Sequence, residues 1–224
     1  MDRLITLEDI SLCPAEVNTG KPTTKFIYGI KDNVDSTESL PIFTSPLASI
    51  VSKDNCNIYS KAGIRPILPT TEDLEVRLDA CQYIFCAFSI QEIIDNFIQR
   101  KRGSSCIFRI CIDDVNINGH SSEIFNIAIQ LRKLYGSQIN LMGGNIGNSK
   151  TYIDYCKAGF DYVRVGINTG SLIDRDKFGF YYPLASLLIE ITGIKNTSCI
   201  GLKQPKIIAD GGILDPVDIV KCLA

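Results

Sequence analysis

The sequence predicts an α/β protein built on a parallel sheet, and three observations point to it. Short apolar runs alternate with longer segments of helical period. The runs are too apolar to belong to a sheet with one solvated face. Three glycine-bearing segments each follow the C-terminal end of such a run, where parallel α/β folds place their sites.

The candidate strands cover 41–45, 64–68, 83–88, 107–112, 139–142, 162–166 and 206–210, all rich in Ile, Val, Phe and Tyr. Of the helical patterns between them, the clearest starts at Ser121, a residue suited to the N-cap. It carries Ile124, Phe125, Ile127, Ala128, Leu131 and Leu134 on one broad stripe. A second covers Ser149–Ala158 and stops at Gly159, a natural residue for a left-handed helix end. The last, 215–224, reads as a helix that has barely finished when the chain ends. About seven strand–helix units result, where a closed (β/α) barrel has eight. A doubly wound open sheet shares the same periodicity and stays as the rival.

With 224 residues the chain fits a single barrel-sized domain, 1–224. A formal net charge of -2 supplies no basic stripe for nucleic acid. The short cluster Arg100-Lys101-Arg102 suits a helix C-terminus, where cations complement the dipole. No apolar signal region opens the chain and no run of about 18 apolar residues occurs, so no membrane is expected and a cytoplasmic location is. The nine cysteines form no CxxC pair and His120 is the only histidine, which argues for buried free thiols over zinc or a disulfide framework.

Two segments have a chemistry of their own. Gly170-Ser171 at a strand-to-helix turn offers backbone N–H groups and a hydroxyl to an anion, although glycine there also simply turns a chain. Asp210-Gly211-Gly212 places a carboxylate beside backbone stripped of side chains. The acid can take ribose hydroxyls while phosphate approaches the glycine amides; the bland alternative is an Asp capping a helix.

Taken in order, Gly143-Gly144-Asn145, Val163-Arg164-Val165-Gly166-Ile167-Asn168-Thr169-Gly170-Ser171 and Ile207-Ile208-Ala209-Asp210-Gly211-Gly212-Ile213 resemble the IMP dehydrogenase/GMP reductase family. There the matching segments run roughly AGN, VRVGIGPGSxC and IADGGI. Leu7-Glu8-Asp9-Ile10 with Cys13-Pro14-Ala15 is similar to the family's opening segment, Ser45-Pro46-Leu47 to its SPM turn, and Asn118-Gly119-His120-Ser121 to its NGHS turn. Phe178-Gly179-Phe180-Tyr181-Tyr182-Pro183 resembles the approach to the sixth helix. The resemblance implies a TIM-type barrel that binds a purine nucleoside monophosphate, IMP or GMP. It implies nucleotide contacts from Ser45, Leu47, Gly170, Ser171, Asp210, Gly211 and Gly212. NAD or NADP would lie near Asp114, Asn118, Gly143, Gly144 and Asn145, and a monovalent cation such as K+ near Gly166 and Asn168. Family members are usually oligomers.

The sequence also departs from the family. Its nucleophile is a cysteine two residues after the Gly-Ser pair, and here that position is Ile173. Deleting the nucleophile of a covalent enzyme typically costs about 10⁶ in kcat. Asn168 and Thr169 replace a glycine and a proline, which weakens the cation site, and Ala48 replaces an aspartate. The stretch from Asp113 to Asn118 carries an insertion, and 174–177 is recast as Asp-Arg-Asp-Lys. No eighth strand, second phosphate loop or flap follows Asp215 within the sequence. The expectation is therefore an incomplete barrel impaired in catalysis, with an active divergent NAD(P)-dependent oxidoreductase or a scaffold for a complete homologue as the alternatives. Either a partner chain or second copy covers the open seam, or residues beyond Ala224 exist elsewhere, or the fold adapts. A GMP reductase-like layout is closer, because nothing between Leu68 and Cys81 has room for regulatory modules.

Overall fold

The computed structural model describes residues 4–12, 39–100, 103, 107–113, 122–167 and 181–223. Six strands run in chain order: β1 (Ile67–Leu68), β2 (Phe85–Phe88), β3 (Phe108–Ile112), β4 (Ile139–Ile146), β5 (Tyr162–Val165) and β6 (Lys206–Ala209). Every neighbouring pair is parallel, and the spatial order repeats the sequence order without a reversal. A doubly wound sheet reverses direction at its switch point, so this order is that of a curling (β/α) barrel. The described strands form part of a TIM-type barrel. The expected strand at 41–45 is reduced to one parallel bridge, Phe43 to Arg65, beside β1.

The helices are α1 (Cys56–Lys61), α2 (Leu74–Ala80), α3 (Ile90–Ile93), α4 (Ser122–Tyr135), α5 (Ser149–Ala158), α6 (Leu184–Thr197) and α7 (Pro216–Leu223). Their ends follow local chemistry. Asp73 accepts from the amides of Glu75 and Val76, and Ser89 and Glu92 form a reciprocal capping box on α3. Asn148 caps α5, and Gly159 ends it at φ 78°, in the left-handed region that favours glycine. A π-helix, Ile94–Gln99, continues α3, and Arg100 beyond it reaches back to Asn96. The α4 N-cap expected at Ser121 lies outside the described residues.

Strand alternation sorts the core into two layers. Leu68, Cys86, Phe88, Ile110, Leu141, Val163 and Val165 pack outward against the helices. Ile67, Phe85, Ala87, Cys111, Met142 and Tyr162 form a separate cluster inside the barrel, with Phe43 and Ile208 against it. Phe43, Phe85 and Tyr162 meet edge-to-face there, with centroids 5.5–5.9 Å apart. Phe43 thus joins the barrel filling although its backbone makes only one bridge.

One position on the α4 stripe is corrected. Leu134 is 40% exposed, and Tyr135 is buried in its place. The Tyr135 hydroxyl donates to the Phe97 carbonyl and its ring meets Phe108, so one residue supplies both apolar area and a satisfied polar tip. The cysteines at 86, 111, 156 and 199 are buried free thiols, and Cys81 is buried as well. Among the described residues no helix is long and apolar enough to cross a membrane.

Two straps cross the outside of the barrel. The Ile5 amide donates to Ser186 at the start of α6, and Lys221 of α7 donates to the Leu7 carbonyl at 2.7 Å.

Candidate functional site

The polar residues at the C-terminal ends of the strands are placed by the same alternation that fills the barrel. Tyr162 faces inward, so Arg164 two residues later does too; Ile208 faces inward, and so does Asp210. Four segments then meet at one carboxylate. Arg164 Nη1 lies 3.8 Å from Asp210 Oδ2. The Asn145 side-chain amide donates to Asp210 Oδ2 at 2.7 Å and to the Gly166 carbonyl at 3.0 Å. Ser45 Oγ donates to Asp210 Oδ1 at 3.5 Å, which ties the first bridge segment to the end of β6. The Asp210 amide itself donates to Val165.

Glycines decide how closely these strands approach. A Cβ on Gly144, whose φ is 118°, would lie 2.5 Å from the Arg164 carbonyl oxygen and 2.8 Å from Arg164 Cβ. A Cβ on Gly143 would strike Tyr155 and Phe160 at 2.7 and 2.9 Å. Both glycines are consumed by packing, one toward the barrel and one toward α5. The Gly144–Asn145 peptide is cis. Gly166, Gly211 and Gly212 have φ of 128°, 84° and 69°, and the latter two carry the chain out of the site past Asp210.

Beneath the mouth sits Cys111, fully buried on the inner face of β3. Burial pushes its thiol up to about 11; Arg164 opposes this, and the carboxylates of Asp113 and Asp210 add to it. It is therefore a neutral thiol at physiological pH and a poor nucleophile. For Arg164, burial works against the charge, but Cys111, Asp210 and Asp113 outweigh it and raise the guanidinium above its usual range. It stays charged at every working pH. Its Nε–H is buried and finds no acceptor among the described residues.

Of the residues expected at the nucleotide, Ser45 and Asp210 come together, Gly211 and Gly212 follow directly, and Leu47 lies exposed on the turn after Ser45. On the cofactor side, Gly143, Gly144 and Asn145 are placed as above. Gly166 of the expected cation pair has its carbonyl engaged by Asn145. Gly170, Ser171, Ile173, Asp114, Asn118 and Asn168 lie outside the described residues. Among the described residues no group of three or more His, Cys, Asp or Glu could hold a metal ion.

Arg164 is the residue that motif reasoning passed over. It stands in the quoted Val163–Val165 segment, yet an arginine in an apolar strand received no role. The signal was available: counting by twos from Tyr162 puts it on the same face as the inward aromatic ring.

A family model described as the IMP dehydrogenase / GMP reductase domain matches residues 105–224. Inosine-5'-monophosphate dehydrogenase of Bacillus subtilis (strain 168) is 35% identical over 109 residues, covering 48% of this chain and 21% of that protein. The enzyme of the same name from Staphylococcus aureus (strain Mu50 / ATCC 700699) is 36% identical over the same share of each chain. The matched stretch thus spans about a fifth of the length of these curated relatives, 21%. A crystal structure of inosine 5' monophosphate dehydrogenase from Legionella pneumophila superposes with a TM-score of 0.72 at 23% identity, covering 99% of this chain and 66% of that one. That likeness carries the barrel fold, while the model match covers β3 to α7 and with them Asn145, Arg164 and Asp210. The chain belongs to the IMP dehydrogenase/GMP reductase family.

Proposed function

We propose that this chain is a purine-nucleotide-binding member of its family, impaired in the family's chemistry. The observation that carries the reading is the convergence on Asp210. A carboxylate held by Asn145 and Ser45, half-open to solvent at the barrel mouth, is suited to accept from vicinal ribose hydroxyls. Gly211 and Gly212 beside it leave backbone amides approachable by phosphate. The unsatisfied Nε–H of Arg164 supports a bound acceptor, since a buried donor left without one costs about 1–3 kcal/mol. Gly170 and Ser171 would complete the phosphate contacts.

The relatives' names describe a dehydrogenase acting on inosine 5'-monophosphate, and the family's chemistry uses NAD or NADP. The described residues give a nicotinamide no cradle of their own. Gly143 and Gly144 are filled by Tyr155, Phe160 and Arg164, and Asn145 is engaged with Asp210. No hydride step is therefore assigned, nor any step through a cation. Ile173 offers no nucleophilic atom. Cys111, the thiol nearest the mouth among the described residues, is held neutral by burial.

Binding is tested by thermal shift. IMP, GMP or XMP at millimolar concentration should raise the melting temperature by mass action. Asp210→Asn should weaken that affinity by roughly 1–3 kcal/mol through the lost charged acceptor. No shift with any of the three nucleotides would end the nucleotide reading.

Catalysis is tested separately, with IMP and NAD or GMP and NADPH at high protein concentration, following the reduced cofactor's absorbance. No turnover is expected, and rates near those of an ordinary family enzyme would show the chain to be an active, divergent oxidoreductase. The exposed apolar residues Leu214, Val217, Val220 and Leu223 on and just before α7 favour a partner chain or second copy against that face.

A further inference from the structure

We propose that Cys156 and Cys199 are a redox-modifiable pair, which peroxide converts to a disulfide stapling α5 to the turn between α6 and β6. The two sulfurs lie 3.4 Å apart, 43 positions apart in the chain. A disulfide needs about 2.05 Å, so side-chain rotation must close only about 1.4 Å.

Both thiols are buried, Cys156 at 3% exposure and Cys199 at 0%. They differ in how they are held. Cys156 sits in the last turn of α5, whose buried residues include Tyr152 and Tyr155. Cys199 belongs to a short turn whose next residue, Ile200, is 75% exposed. That turn is fastened by few groups: Gln204 donates to the Lys195 and Cys199 carbonyls, and Leu202 to Cys199. Opening it exposes Cys199 without disturbing the sheet. Burial, together with the hydrogen bond it donates to Cys199, pushes the Cys156 thiol up to about 12. The turn that carries Cys199 opens more readily than helix α5, which makes Cys199 the sulfur that attacks first and Cys156 the one that resolves.

The chemistry balances with one hydrogen peroxide. The Cys199 sulfur attacks a peroxide oxygen, the O–O bond breaks, and a sulfenic acid and one water form. The Cys156 sulfur then displaces the sulfenic hydroxyl, which leaves as a second water as the S–S bond closes. Two thiols are oxidised by two electrons and the peroxide oxygens are reduced. The consequence reaches β6, because Tyr152 one turn from Cys156 donates to the Pro205 carbonyl at 2.8 Å, directly ahead of the strand that leads to Asp210. The staple fixes that entry covalently. This inference does not depend on nucleotide binding.

The test uses the intact chain, treated with millimolar hydrogen peroxide, alkylated and digested with trypsin without reduction. Cys156 falls in the peptide TYIDYCK and Cys199 in NTSCIGLK, each with a single cysteine. The expected result is a cross-linked species of these two peptides, lost on adding dithiothreitol and formed faster at higher pH. The oxidised protein should melt roughly 5–15 °C higher, reversibly, and Cys199→Ser should show neither effect. Recovery of Cys156 and Cys199 as alkylated or over-oxidised monomers, while the more exposed Cys56 and Cys222 are consumed, would overturn the proposal. So would a link formed only after urea denaturation. The mapping needs only the wild-type chain, so it stands if a variant fails to fold.

Discussion

Arg164→Ala is expected to destabilise the chain by about 3–5 kcal/mol in urea unfolding, the range for breaking a buried charge pair from one side. The side chain is nearly enclosed, at 8% exposure, and its loss acts in two ways. Asp210 and Asp113 lose the guanidinium set beside them in the mouth, and a cavity opens above Cys111. Attraction alone does not explain the size of the effect. The ion pair is long at 3.8 Å, and Asn145 still holds the same carboxylate oxygen. What decides it is that a partly buried carboxylate loses a neighbouring positive charge in low dielectric. The double variant Arg164→Ala/Asp210→Asn should therefore recover 1 kcal/mol or more, about the coupling expected of groups in contact. Strict additivity of the two single losses would mean that the cavity, and not the charge, carries the cost.

Gly144→Ala should cost roughly 2–4 kcal/mol. The φ of 118° suits no L side chain, which accounts for about 1 kcal/mol, and the new methyl would meet the Arg164 backbone, which cannot rotate away. To admit it, β4 and β5 must separate where Arg164 and Asn145 converge on Asp210, so nucleotide-induced stabilisation should fall with the melting temperature. Gly193 is the counterpart. It lies within α6, with nothing within 4 Å of an added Cβ. Gly193→Ala should raise stability by about 0.5–1 kcal/mol, through helix propensity and a less flexible unfolded chain. Two identical substitutions with opposite signs, followed by the same urea titration, separate backbone crowding from composition.

The strand runs and the ends of α5 were legible because each rests on local chemistry: apolar residues on both faces of a strand, and a glycine where the chain turns left-handed. Asp210 was legible through its glycine neighbours. Arg164 was not, because a charged residue in an apolar strand signals nothing until the partner strands' inward faces are known. Gly143 and Gly144 illustrate the converse. Their sequence signature suits ligand approach, yet protein atoms take up the space their missing side chains leave. The exchange of Leu134 for Tyr135 on α4 came from weighing apolarity alone. A tyrosine whose hydroxyl finds the Phe97 carbonyl buries more area at no polar cost.

The strictly sequential strand order has a consequence for how the chain is made. Each strand pairs with the one synthesised just before it, so the sheet can grow as the polypeptide leaves the ribosome, with short loops to close at each step. The two outer straps break that pattern. Ile5 meets Ser186 across 181 positions and Leu7 meets Lys221 across 214, so these residues wait for partners synthesised much later. Until then the barrel's outer wall stands open on that side, and the nascent chain must shield the apolar flank of α6 by other means.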